Sequence, residues 1–370
     1  MVSQVNGDDI RRCVFWGGRR LGTILAVLAL SVLLSSCAGL SGGSPALAAK
    51  KAIEACDPFM GDWRGGWKLH EESESGPLVA HVIALGKGTY QAKFFPEFDT
   101  REKPTLVLEG RREGRVARFS GRSAQGEAGA EYEVQAVIKG GTFSGTLKGD
   151  IVGDFSMSKT IRISPTLGAE PPTGAVVLFD GKGFDQWEPT DKKPPVKPVQ
   201  WKRVKDGAME VRKGAGSIVT KKKFTDFKLH IEFRTPFMPE QRGQARGNSG
   251  VYLQERYEVQ VLDSYGLEGL DNECGGIYKV GAPLVNVCAP PMQWQTYDIT
   301  FTAPRFDGAG AKTEDAIVTI VHNGVTIHDR LKIPKPTGGE LDDRVAEPGG
   351  IYLQDHGNPV QFRNIWLVEL

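Results

Sequence analysis

Apolar residues in this 370-residue chain recur at every second position, in short runs broken by glycine and other turn residues. Phe227, Leu229, Ile231 and Phe233, for example, alternate with Lys228, His230, Glu232 and Arg234. Successive side chains of a strand point to opposite faces, so this period demands half-buried β-strands. Glycine is abundant at 46 residues, and long helical patterns are rare. Together these predict a mostly β protein with many turns. The length predicts two domains, or one large β domain with extensions. Lysine plus arginine (46) nearly balance aspartate plus glutamate (45), and no long basic run occurs. Nucleic acid is therefore not an expected partner.

The N-terminus reads as a targeting segment. Arg11, Arg12, Arg19 and Arg20 precede an apolar run from Leu21 to Leu34, too short for a comfortable membrane span. The run ends in Leu34-Ser35-Ser36-Cys37-Ala38, which resembles a bacterial lipobox. Residues 1–36 are then the signal peptide and Cys37 the lipidated first residue of the mature protein. Cleavage near Ala46-Leu47-Ala48 and a retained membrane anchor are the alternatives. All three imply export to the bacterial cell envelope. The favoured lipoprotein would be membrane-anchored through its lipid, periplasmic or outer-membrane-facing. Residues 37–56 are small and polar enough to read as a tether, with folded structure beginning near Asp57.

Cys274 and Cys288 enclose a short loop within one domain and are the expected disulfide of an exported chain, which leaves Cys56 odd. Two free, buried thiols are the alternative. No Cys-x-x-Cys or Cys/His array points to a zinc site, so no metal ligands are assigned. No nicotinamide or flavin fingerprint is present. No cofactor is expected, and a divalent cation stays open.

Residues 57–165 read as a small all-β domain, a barrel or a sandwich, with short strands such as Thr89 to Phe94 and Tyr132 to Lys139 separated by glycine turns. No cluster in it suggests chemistry. Residues 166–174 form a Pro/Gly linker. A second β domain spans residues 175–370. Asn323-Gly324 between alternating strands predicts a type I′ hairpin there. The long loop 264–293 holds both candidate disulfide cysteines.

One hairpin in this domain is unusual. Val251 and Leu253, then Tyr257, Val259 and Val261, form its core faces. The opposite faces carry Asn248, Gly250, Tyr252 and Gln254, then Glu258 and Gln260. Amides, an aromatic ring and a single carboxylate suit a sugar-binding cleft; an ordinary half-exposed hairpin is the plain alternative. The pentapeptide Gly250-Val251-Tyr252-Leu253-Gln254 has an echo in Gly350-Ile351-Tyr352-Leu353-Gln354. If both lie in one concave sheet, Tyr252, Gln254, Glu258, Gln260, Tyr352, Gln354 and His356 converge. His230, His322 and His328 read as surface-exposed or turn-bound.

The second domain closely resembles the 3-keto-disaccharide hydrolase domain family, common in bacterial lipoproteins and exported proteins. The resemblance is carried by Leu178-Phe179-Asp180-Gly181, Gly247-Asn248-Ser249-Gly250-Val251-Tyr252, Tyr257-Glu258-Val259-Gln260-Val261-Leu262-Asp263, Cys274-Gly275-Gly276-Ile277-Tyr278, Trp294-Gln295-Thr296-Tyr297-Asp298, His322-Asn323-Gly324-Val325 and Leu353-Gln354-Asp355-His356-Gly357. It covers about residues 174–370. It implies a concanavalin A-like β-sandwich (jelly roll) and activity on 3-keto-glycosides. A carbonyl at C3 acidifies the hydrogen on C2, and the substituent on C1 lies β to that carbonyl. One general base can therefore start an elimination that water then completes. Direct hydrolysis would use paired carboxylates, and the hairpin face offers only one.

Glu258 is the candidate base. Its structural alternative is an ion pair with Arg256, Arg246 or Arg363. His356 is the candidate acid. Asn248, Gln254, Gln260 and Gln354 suit hydroxyl recognition, and Tyr252 and Tyr352 suit stacking on a pyranose. Asp263 could bind hydroxyls or cap a turn, Tyr278 could close over the ligand, and Arg246 or Arg363 could polarise the ketone. The competing functions are a non-catalytic carbohydrate-binding lipoprotein and a purely structural envelope protein.

Overall fold

The computed structural model describes residues 45–71, 74–123 and 130–370. The expected signal peptide and Cys37 lie outside the described residues. The tether expectation is corrected over Pro45–Cys56, which forms a 12-residue helix. Alanine and lysine dominate that segment and are strong helix formers. Its Ile53 is fully buried in the core of the first domain. Asp57 follows, accepting from the N–H groups of Phe59 and Met60 at 2.9 Å each.

The first domain is a closed barrel of β1 (Gly61–Leu69), β2 (Ser75–Gly86), β3 (Thr89–Phe95), β4 (Leu106–Glu113), β5 (Val116–Arg122), β6 (Tyr132–Lys139), β7 (Thr142–Gly149) and β8 (Gly153–Thr160). Each strand pairs antiparallel with the next, and β8 returns to β1. Closure removes every edge from the sheet. The interior is aromatic. Phe143 packs on Trp63, Phe94, Phe119 and Phe155 with ring centroids 5.0 to 5.7 Å apart. Gly145 keeps this possible, because a Cβ there would lie 2.5 Å from the Phe155 ring.

The second domain contains β9 (Val176–Phe179), β10 (Trp187–Pro189), β11 (Lys202–Arg203), β12 (Met209–Glu210), β13 (Ile218–Thr220), β14 (Phe227–Arg234), β15 (Ser249–Leu253) and β16 (Tyr257–Val261). It continues with β17 (Gln295–Thr302), β18 (Arg305–Phe306), β19 (Lys312–Glu314), β20 (Ala316–His322), β21 (Val325–Ile333), β22 (Tyr352–Leu353) and β23 (Gln361–Glu369). One sheet has the order β10-β13-β22-β15-β16. The other runs β11-β12-β23-β14-β17-β20-β21, with β9 also on β23. The core between them takes Phe227, Leu229, Ile231 and Phe233 from one sheet and Val251, Leu253, Tyr257, Val259 and Val261 from the other. Alternation thus buries the predicted faces, and Tyr297, Ile299 and Phe301 of β17 join them. Asn323 and Gly324, both at positive φ, turn β20 into β21 as the type I′ signal requires.

Two segments are more tightly held than their composition suggests. In the linker, Thr166 Oγ1 donates to Asp298 Oδ2 (2.6 Å) and the Gly168 N–H to Glu232 Oε1 (2.6 Å). Its Ala169 carbonyl accepts from Asn364 and Trp366. The linker thereby covers the outer face of the larger sheet. Loop 264–293 is pinned by a bridge between Val259 and Ile277. The disulfide expected in it is corrected: Cys274 and Cys288 are free, buried thiols. Cys274 Sγ instead lies 3.2 Å from the Tyr297 hydroxyl.

Barrel and sandwich meet on a buried polar cluster. Asp62 of β1 accepts from Arg162 (2.7 Å) and the Tyr265 hydroxyl (2.7 Å), and meets His81 Nδ1 at 2.8 Å. Burial alone would raise the Asp62 pKa. Arg162 and His81 outweigh it and hold the carboxyl well below the usual range. Arg101 adds bonds to the carbonyls of Gly269, Pro283 and Leu284.

Candidate active site

The echo in the sequence is a physical pairing. β15 lies between β16 and β22, with Tyr252 opposite Tyr352 on one side and Glu258 on the other. Val219 of β13 pairs with Tyr352 in turn. Val219, Tyr352, Tyr252 and Glu258 therefore form one row across the outer face of the smaller sheet. The two tyrosine rings stack with centroids 4.4 Å apart and planes 28° apart. Every residue of β15 and β16 is buried, so this outer face is covered rather than solvated. Part of the cover is the segment after β21. The Glu258 N–H donates to Thr337 Oγ1 (2.8 Å), and the Tyr252 hydroxyl donates to the Gly338 carbonyl (3.1 Å). Tyr278 stands beside Gly338, 3.7 Å from where a Cβ would sit.

Glu258 is 5% exposed. Its carboxylate lies above Gly250, where a Cβ would come within 2.6 Å of Oε1. Desolvation pushes its pKa up to about 7, and the Tyr252 hydroxyl acts in the opposite sense. None of the three candidate arginines neutralises it. Arg256 pairs with Asp342 (2.8 Å), Arg246 with Asp263 (2.6 Å) and Arg363 with Glu232 (2.6 Å). A carboxyl pushed up to about 7, next to a tyrosine and in no ion pair among the described residues, is equipped to take a proton.

Amides flank the row. Gln260 Nε2 donates to Asn248 Oδ1 (2.9 Å), and Asn248 Nδ2 donates to Gln244. Gln354 Nε2 reaches the Tyr252 hydroxyl at 3.3 Å, and its Oε1 is buried without a partner among the described residues. The Gln354 N–H bonds to the Gly250 carbonyl, and two residues further His356 is exposed on a loop. That loop returns to the site through Asn358 Oδ1, which accepts from the Asn248 N–H (2.8 Å).

Other expected members lie elsewhere. Gln254 is in the hairpin turn at φ +50°, with its amide donating to the carbonyls of Phe224 and Thr225. Asp263 and Arg246 form a buried pair turned toward the barrel, where Arg246 Nη1 approaches the Ala84 carbonyl. Arg363 is on the outer face of the opposite sheet, its guanidinium 4.1 Å from the Trp294 ring centroid. His230, His322 and His328 are buried, not surface residues. His230 Nδ1 meets Asp298 at 2.6 Å and the ring stacks on Trp366. His322 is desolvated, with its pKa lowered to about 3. Thr337 and the Asp62–His81–Tyr265 cluster carried no sequence signal, because only tertiary folding brings their parts together.

The family model of the 3-keto-alpha-glucoside-1,2-lyase-like domain matches residues 174–368. The chain belongs to this family. Of the 3-keto-alpha-glucoside-1,2-lyase-like domain it holds both sheets, and the barrel precedes the matched region. Three candidate glycosyl hydrolases of Parabacteroides distasonis ATCC 8503 are similar solved structures. The first is 40% identical, covering 54% of this chain and 85% of its own, with a TM-score of 0.49. The second is 19% identical over 53% and 94%, TM-score 0.38, and the third 22% over 50% and 100%, TM-score 0.34. No curated protein matches the chain. Membership of the lyase-like family supports a glycoside-processing function.

Proposed function

We propose that the sandwich domain cleaves 3-keto-glycosides by elimination, with Glu258 as the base. The observation that carries this reading is the buried Glu258 carboxyl beside Tyr252, pushed up to about 7 by desolvation and in no ion pair among the described residues. Its ionised form takes the proton from C2 of the sugar, and the electron pair passes to the C3 oxygen as an enolate. The enolate re-forms the carbonyl as the C1–O bond breaks, leaving a double bond between C1 and C2. The departing oxygen takes a proton, and His356, exposed on the loop after Gln354, is the acid we assign to it. Addition of water across the double bond gives the hydrolysed sugar. Tyr252 and Gln354 supply the polar contacts beside the base.

A pure binding module needs no carboxyl poised at neutrality, which favours catalysis. The test is release of the aglycone from a 3-keto-glucoside. Wild type turns it over and Glu258→Gln does not. Absence of turnover by wild type defeats the enzymatic reading, and full activity of Glu258→Gln defeats the choice of base.

A further inference from the structure

A cavity of about 260 Å³ lies where the barrel meets the sandwich, and none of its lining residues belongs to the Glu258 row. The barrel contributes His81, Lys93 and Phe95, and the segment after β16 contributes Gly266 and Leu267. His81 is built for a purpose. Its Nδ1 is committed to Asp62, which Arg162 keeps ionised, so Asp62 only accepts. Nδ1 must then carry a hydrogen, and Nε2 is the ring nitrogen left to meet a ligand. Among the described residues nothing bonds Nε2. Lys93 is complementary. Its Nζ donates to the Gly266 carbonyl at 2.8 Å and keeps further N–H donors, with no carboxylate in ion-pair contact among the described residues. Phe95 meets the His81 ring edge-on, centroids 5.6 Å apart, and gives the cavity an apolar face.

A ring nitrogen, an ammonium donor and a flat apolar wall are what a hydroxylated ring, whose hydroxyls both donate and accept, can use. The rim carries Glu97, Asp99, Glu102 and Glu268 against Arg101 and Lys103, so the cavity is not biased toward anions. We propose that it binds a neutral saccharide unit. His81 Nε2 bonds one hydroxyl, Lys93 donates to another, and Phe95 packs on the ring. The ligand class rests on the glycoside-processing reading of the sandwich, whereas the site itself is separate from Glu258.

The test is a titration of the full chain, carrying carbon-13-labelled histidine, with maltose and with cellobiose. The His81 resonance is assigned by His81→Gln. A saturable shift of that resonance is expected, unchanged in Glu258→Gln and weakened about ten-fold or more in Phe95→Ala and Lys93→Met. No saturable shift with either sugar overturns the proposal. So does equal affinity in the two wall variants, or saturation by inorganic sulfate in place of sugar. Loss of the proposed activity at Glu258 would leave this titration untouched, so the two failures are distinguishable.

Discussion

Glu258 stands directly opposite Tyr252 in the hairpin register, its carboxylate resting over the bare backbone of Gly250. If it is the base, Glu258→Gln lowers kcat for 3-keto-glucoside cleavage by about 10²–10⁴-fold while the fold persists. Steady-state kinetics with circular dichroism as the folding control check this.

The raised pKa has two consequences of opposite sense. Activity rises with pH as the carboxyl ionises, giving kcat/KM a limb near pH 7. Stability falls over the same interval. Between the ordinary value of 4.5 and about 7 the folded state holds a proton that the unfolded state has released. The loss is on the order of 3 kcal/mol at most. Denaturant titrations at pH 5 and pH 8 should show a loss larger by this amount in wild type than in Glu258→Gln.

Gly250→Ala tests the geometry without touching the carboxyl. The new Cβ would lie 2.6 Å from Glu258 Oε1 and 2.9 Å from the Tyr252 ring, so both must move. A displacement of this size costs roughly 10²-fold in kcat. A variant that folds and retains full activity would show that the position of the carboxylate is unimportant.

Tyr252→Phe keeps the stack on Tyr352 but removes the hydroxyl that lowers the Glu258 pKa. The rising limb of the kcat/KM profile is expected to move to higher pH. An unmoved limb would mean that another group sets it.

His230 governs the linker rather than the site. Burial alone would lower its pKa, but hydrogen bonds to Asp298 and Glu232 outweigh that and raise it. The same two carboxylates hold Thr166 and Gly168. Stability from this cluster is full below the unfolded value of 6.5 and is lost as pH rises through the folded one. Thermal melts of Glu258→Gln, with and without His230→Gln, isolate the effect. The part of the fall in Tm that sets in as pH rises above 6.5 should be present only where His230 is.

Much of this was legible in the chain. Period two gave the core faces, and the Tyr252/Tyr352 echo gave two adjacent strands with matching faces. The misplacements have definite causes. Gln254 continues the alternation, but the strand stops at Leu253 and turns through Gln254 and Glu255 at positive φ, without the glycine that usually marks such a turn. Arg363 alternates as expected, yet alternation does not say which of two sheets a strand joins, and β23 joins the other one. Arg246 and Asp263 neutralise each other across 17 positions, and no local pattern encodes such a pair. His230 lies buried because the linker, which composition marks as loose, covers its strand face, whereas His322 packs on Phe233 and Tyr297 and His328 bonds the Gly275 carbonyl of the long loop.

Tyr265 begins just past the strand that carries Glu258, and its hydroxyl terminates on Asp62 inside the barrel wall. The matched family region is therefore not a portable cassette. Cutting the chain at the linker would strip the partner from a fully enclosed phenol four residues beyond that strand, and Arg246 would lose its contact with Ala84 at the same stroke. Any transplant of the sandwich into another protein must carry the barrel with it or replace both contacts.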